Sequence, residues 1–275
     1  PPEPASLPPA ELAVSPPSPP AVAPADLAHA SGVAAMAEGN YERALEMFAT
    51  AWKESPGHPG VARDFPDALS GLKKTGDEAF RQGRLEDATQ CYAKIRAICS
   101  RGKLRRLLLL VENDYVRMLI NGNDLAAAEQ VAGRLNIDMD GERNVLGDRW
   151  EAAPCLEVLI RARLLRARGQ PDRALRDLRR LRNLAIKAGR IRLSIEILTL
   201  MALAAFDQGA HASMRKSVLA ALNLSPASGF VRIFLDEGEN VGPLMQWVRD
   251  HGGKELSAAA GHQLLAILAA CAGFF

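Results

Sequence analysis

The chain has 275 residues, of which 48% are hydrophobic but only 5% aromatic. An array of helices rich in Ala, Leu and Arg is therefore favoured over a β-sandwich or barrel, which draws on β-branched and aromatic side chains. The formal net charge of +2 is too small to identify a nucleic acid, a membrane or an acidic protein as partner from the total alone.

The first 24 residues, PPEPASLPPAELAVSPPSPPAVAP, hold ten of the seventeen prolines. Proline fixes φ and lacks an N–H, so this stretch predicts a disordered or polyproline II linker and no packed core. An SH3-type ligand would need a flanking Arg or Lys, which is not there. The segment begins Pro1-Pro2-Glu3-Pro4, without an initiator Met or a signal-peptide pattern, so a mature or truncated product is expected. Such a linker can also tether a domain to an envelope anchor, which keeps a periplasmic or envelope-associated location beside the cytoplasmic one.

From Ala25 the pattern changes. Gly32, Gly39-Asn40-Tyr41, Ala44, Phe48, Ala51 and Pro56 follow at set offsets. A second copy answers from Leu69 to Gly102, with Gly76, Gly83-Arg84-Leu85, Ala88 and Tyr92. A small residue at Gly32 or Gly76 lets the following helix pack closely. Gly39 and Gly83 suit a left-handed cap that ends one helix and turns the chain. Ala44 and Ala88 sit where paired helices cross, Phe48 and Tyr92 fill the space between repeats, and Pro56 stops a helix. About ten extra residues, around Pro59 to Ala68, separate the two copies. Residues 25–102 thus read as two repeats.

Residues 103–250 carry three looser units, near 109–142, 155–188 and 195–228. They are marked by Asn123-Asp124-Leu125 with Ala128, by Gly169-Gln170-Pro171 with Ala174, and by Gly209-Ala210-His211 with Met214. A terminal helix is predicted from Leu256 to Ala272 within a C-terminal cap of 251–275. Its apolar run, Leu264 to Phe275, is about half the roughly 20 residues of a membrane span.

The offsets resemble the tetratricopeptide (TPR) pattern, with its period of about 34 residues. The expected fold is all-α, a right-handed superhelical solenoid of antiparallel helix pairs. Residues 103–250 further resemble the helical-repeat arm of MalT/LuxR-type bacterial transcription activators. The residues that carry this likeness are Gly122-Asn123-Asp124-Leu125-Ala126-Ala127-Ala128, the run Leu164 to Leu175, the run Ile195 to Ala204, and above all Ser228-Gly229-Phe230-Val231-Arg232-Ile233-Phe234-Leu235-Asp236-Glu237-Gly238. The resemblance implies a sensor arm that takes up an inducer or a regulatory protein. The chain has no G-x-x-x-x-G-K-[ST] phosphate loop and no DNA-reading helix-turn-helix, so an arm without its ATPase and DNA-binding parts is expected.

Catalytic motifs are absent. His29, His58, His211, His251 and His262 stand at no ligand spacing from one another or from Cys91, Cys99, Cys155 and Cys271. These cysteines form no CxxC pair. They are expected as small buried side chains in a reducing compartment, with catalytic or disulfide roles as the other readings. His211 is expected to be partly packed. Asp236 and Glu237 are adjacent acids, read as a loop or helix start rather than an acid–base pair. No metal or cofactor is expected.

Residues 161–192 carry eleven Arg and one Lys against two Asp, a local balance of +10. Arg173, Arg176 and Arg180 share one face of a helix, with leucines on another. In TPR arrays the second, fifth, ninth and twelfth positions of the first helix line the concave groove. Here they are Leu156, Leu159, Arg163 and Arg166, then Glu196, Thr199, Leu203 and Phe206. Arg163, Arg166, Thr199 and Phe206 are the expected partner-binding residues. The basic stretch reads as a solvated face, as a site for an acidic peptide, phosphate or anionic effector, or as a weak nucleic-acid site. Together these readings describe a non-catalytic scaffold for a protein, a peptide or a small inducer. An envelope-associated adaptor is the alternative.

Overall fold

The structure is a computed structural model that describes residues 23–101, 104–141, 146–225, 230–251 and 256–274. The expected linker over 1–24 lies outside these residues except for its end, where Pro24 opens the first helix. The described residues hold helices and no strands. The chain divides into two compact units, one up to Gly71 and one from Leu72 onwards.

The first unit contains α1 (Pro24–Ala37), α2 (Tyr41–Glu54) and the start of α3 (Pro59–Arg81). The residues inserted between the first two repeats lengthen α3 at its N-terminus. Pro59 is compatible with a first turn, whereas Pro66 lies inside the helix and cannot donate to the Ala62 carbonyl. Gly32, Ala44 and Phe48 meet where α1 crosses α2, and Phe48 is fully buried. A Cβ built on Gly32 would stand 2.4 Å from Phe48 Cε1. Gly32→Leu is therefore expected to lower stability by about 1–3 kcal/mol through overpacking. Gly133 offers the contrast, because a Cβ there meets nothing within 4 Å, and Gly133→Ala should raise stability by about 0.5–1 kcal/mol. Thermal unfolding of both variants checks the pair; equal melting for Gly32→Leu and the parent would contradict this crossing.

The second unit continues from the end of α3 through α4 (Leu85–Arg101), α5 (Arg105–Asn121), α6 (Leu125–Leu135), α7 (Ala152–Ala167), α8 (Pro171–Lys187), α9 (Ile191–Asp207) and α10 (His211–Leu224). These pack against their neighbours in sequence. It ends with α11 (Val231–Leu235), α12 (Val241–His251) and α13 (Ala258–Phe274). Helices α11 and α12 were not expected beside the ten repeat helices and the terminal helix.

One turn recurs throughout. Gly39, Gly83, Gly169, Gly189 and Gly209 take φ between 65° and 74°, and Asn123 fills the same place at 59°. In each case this residue's N–H bonds the carbonyl three residues back, and the next N–H bonds the carbonyl five back, as in Gly169 to Arg166 and Gln170 to Leu165. The paired bonds satisfy the last carbonyls of one helix while reversing the chain. Asn40 and Asp124 then cap the following helices, accepting from the N–H of Arg43 at 3.2 Å and of Ala127 at 2.9 Å. Gly189 adds a turn that the expected repeats left out.

Helix α9 lies at the centre of the second unit. It touches α7, α8, α10, α11 and α12 and is buried on nearly all sides from Ser194 to Ala205. That buried stretch, SIEILTLMALAA, carries a single charge, which is Glu196.

Candidate functional site: a buried charge network and a polar cavity

Asn113, Asp114, Arg117 and Asn121 follow one another on α5 at spacings that keep Asp114, Arg117 and Asn121 on one face. Lys73 and Asp77 are one turn apart near the end of α3. Arg163 on α7, Glu196 on α9 and the Asp236-Glu237 pair after α11 complete the set. Arg163 is only 3% exposed. Its guanidinium makes a two-pronged bond to the Glu237 carboxylate at 2.5 and 2.8 Å, a bond to Glu196 at 2.6 Å and a bond to the Asn113 side-chain oxygen at 3.1 Å. The Asn113 amide in turn donates to Glu196 at 3.2 Å. Four of the five N–H donors of the planar guanidinium are thus used.

A second layer joins this one. Lys73 Nζ lies 2.8 Å from Asp77 and 3.0 Å from Asp114. Arg117 lies 3.2 Å from Asp114 and 3.5 Å from Asp236. Arg232 holds the other Asp236 oxygen at 2.7 Å. Asn121 donates to the Asp236 carbonyl at 3.0 Å, and the Tyr92 hydroxyl donates to Asp77 at 2.6 Å. Residues 232–238 are therefore tied into the inner faces of α5, α7 and α9 by charge as well as by the buried side chains of Ile233, Phe234 and Leu235.

These surroundings fix the protonation states. Burial alone would raise the Asp114 carboxyl, but Arg117, Lys73 and Arg163 outweigh it and hold it below its ordinary value. Burial alone would lower the Lys73 ammonium, whereas Asp114 and Asp77 leave it raised. Burial likewise opposes the charges of Arg117 and Arg163, and their carboxylate neighbours raise both. Burial pushes the Tyr92 phenol well above its ordinary range, so it remains a donor to Asp77.

A cavity of about 200 Å³ opens beside this second layer, between the end of α3, α5 and residues 232–239. Phe80, Met118 and Leu235 give it an apolar wall.

The residues expected to line a groove fall into place unevenly. Arg163 and Thr199 are buried, and the Thr199 hydroxyl donates to the Ile195 carbonyl at 2.9 Å. Arg166 pairs with Asp207 at 2.7 and 3.2 Å, and Phe206 packs half-buried against the core. The same register carried into the earlier repeats places Lys73, Asp77 and Phe80 on α3, and Asn113 and Arg117 on α5. Repeat spacing alone could therefore have found half of the network. Nothing in the spacing shows that Arg232, Asp236 and Glu237 join it.

The basic face divides as well. Arg173 donates to the carbonyls of Met139 and Asp140, both at 3.0 Å, and Arg180 to that of Leu146. Both arginines fasten the connection between α6 and α7. Arg176 is exposed.

Four of the five histidines, scattered in sequence, come close to one another or to a shared ring. His29 and His58 lie with ring centroids 5.0 Å apart in the first unit. Each contacts a carboxylate, Asp64 at 2.9 Å and Asp26 at 3.0 Å. His211 and His251 each stack on the Trp247 indole, with ring centroids 4.9 and 4.4 Å away. All four cysteines are free thiols, and burial pushes Cys99 and Cys155 up to about 11. Among the described residues, no three His, Cys, Asp or Glu side chains gather as a metal site requires, and no helix is long and apolar enough to cross a membrane.

Set against known proteins, the chain matches no family model and no curated sequence.

Proposed function

We propose that the chain is a non-catalytic binding module of the tetratricopeptide type, serving as the effector-sensing arm of a regulator similar to the MalT/LuxR-type activators. The observation that carries this reading is the cavity lined by residues 232–239, of which 232–238 belong to the string most specific for that resemblance. Asp77, Asp114 and Asp236 in its wall are each held by a cation. They can orient a bound molecule but are poorly placed to accept a proton from it. A ligand there touches α3, α5 and the 232–239 segment at once, so binding would tighten their packing.

A thermal-shift screen of the full chain against sugars, nucleotides, amino acids and organic acids tests this. At least one compound should raise the melting temperature, be recovered unchanged, and lose its effect in Asn121→Trp, which fills the cavity mouth. A compound that is converted, or a screen without any stabilising compound, would overturn the reading.

A further inference from the structure

The cations of residues 161–192 fall into two groups. Arg161, Arg163, Arg166 and Arg168 each meet a carboxylate, and Arg173 and Arg180 hold loop carbonyls. Arg176, Arg179 and Lys187 on α8, with Arg190 and Arg192 at the start of α9, are exposed. None of these five makes an ion pair among the described residues. Arg176, Arg179 and Lys187 share one face of α8, and the row they form is about 17 Å long at 1.5 Å per residue. Like charges three or four positions apart on a helix destabilise it. Cations in a first turn oppose the helix dipole, and the first turn of α9 has no acid to offset Arg192. Folding alone therefore disfavours this arrangement, and an anionic partner would relieve it. Two aliphatic side chains adjoin the same cations in sequence. Ile186 and Ile191 are each 52% exposed, one before Lys187 and one after Arg190.

We propose that the exposed side of α8, with the turn into α9, docks an acidic amphipathic helix of a protein partner. Its carboxylates would meet Arg176, Arg179, Lys187 and Arg192, and its aliphatic side chains would cover Ile186 and Ile191. A helix presents carboxylates every three or four residues, which is the repeat of the row on α8, and guanidinium groups match carboxylates in geometry as well as charge. Two other anionic surfaces fit less well. Single-stranded nucleic acid binds through exposed aromatic platforms beside the cations. Here the cations are accompanied by isoleucines, and the Trp150 ring already carries the Arg190 guanidinium, 5.9 Å from its centroid. An amphipathic helix enters a bilayer surface by its apolar face, but on α8 that face, Leu175, Leu178, Leu181 and Leu184, is buried in the core. None of the docking residues lines the cavity, so this surface and the effector site stand or fall separately.

Calorimetric titration of the full chain tests it, with a synthetic helical peptide of about five turns that carries Glu at three- and four-residue spacing and Leu on the adjoining face. Polyglutamate and oligothymidylate of equal charge, and phosphatidylserine vesicles, are the comparisons. The peptide should bind more tightly than all three at low salt, and its binding should weaken as salt rises. Reversing Arg176→Glu and Arg179→Glu together should weaken it about tenfold or more, as expected for lost charge-assisted bonds. Ile186→Ser with Ile191→Ser should remove its advantage over polyglutamate. All four side chains are exposed, and circular dichroism checks that the variants fold. A peptide that does not bind, binds no better than polyglutamate, or binds the arginine variant as well as the parent would overturn the proposal. Tighter binding of oligothymidylate or of the vesicles would overturn it too, in favour of a nucleic acid or a membrane surface.

Discussion

Arg163→Ala is expected to lower the unfolding free energy of the second unit by about 3–5 kcal/mol, the usual cost of removing one partner from a buried ion pair. The loss does not measure the attraction of the pair alone. It arises because Glu237, 4% exposed, and Glu196 would be left in the interior without their cation. Arg166→Ala is the matched comparison. Its salt bridge to Asp207 is partly solvated, with side-chain exposures of 13% and 34%, and surface pairs contribute about 0–1 kcal/mol. Both arginines occupy the expected groove register, so unequal effects in urea unfolding would separate a buried structural role from a rim contact. Equal and small effects would show that Arg163 reaches solvent.

Phe234→Ala should cost about 3–5 kcal/mol as well. Phe234 is fully buried and belongs to the core cluster shared by α9, α12 and α13. Helix α11 has only five residues, too few to be helical without tertiary support. Its position therefore depends on two attachments, the ring of Phe234 on one side and the Glu237–Arg163 pair on the other. Because the two lie close together and hold one segment, Arg163→Ala and Phe234→Ala should combine to less than the sum of their separate effects. Additive losses, measured by denaturant unfolding of the double variant, would mean that the two attachments act independently.

The helix pairs were legible because their determinants are local. A Gly at a left-handed cap and small residues at a crossing are set by neighbours a few positions away, and the turns expected at Gly39, Gly83, Asn123, Gly169 and Gly209 are present, whereas the equivalent turn at Gly189 was not expected. The buried charge network was only half legible. Arg163 and Glu196 lay in the expected register, and Lys73, Asp77, Asn113 and Arg117 follow from it. Their exposure did not follow, because it depends on a segment that returns from 74 residues away in the chain to meet Arg163. Asp236 and Glu237 read as a loop pair in sequence for the same reason, since adjacency says nothing about distant cations. The basic stretch shows the converse. Arg173 and Arg180 share a helical face with Arg176, yet they bind loop carbonyls, and helical periodicity alone does not reveal such bonds.

The most direct measurement is hydrogen–deuterium exchange of the backbone amides of residues 231–239 in the full chain, followed beside those of α9. Docking by buried ion pairs and Phe234 predicts strong protection of this short segment in the parent, and a selective rise in its exchange in Arg163→Ala while α9 stays protected. Exchange of 231–239 at the rate of a free peptide in the parent chain would contradict the account.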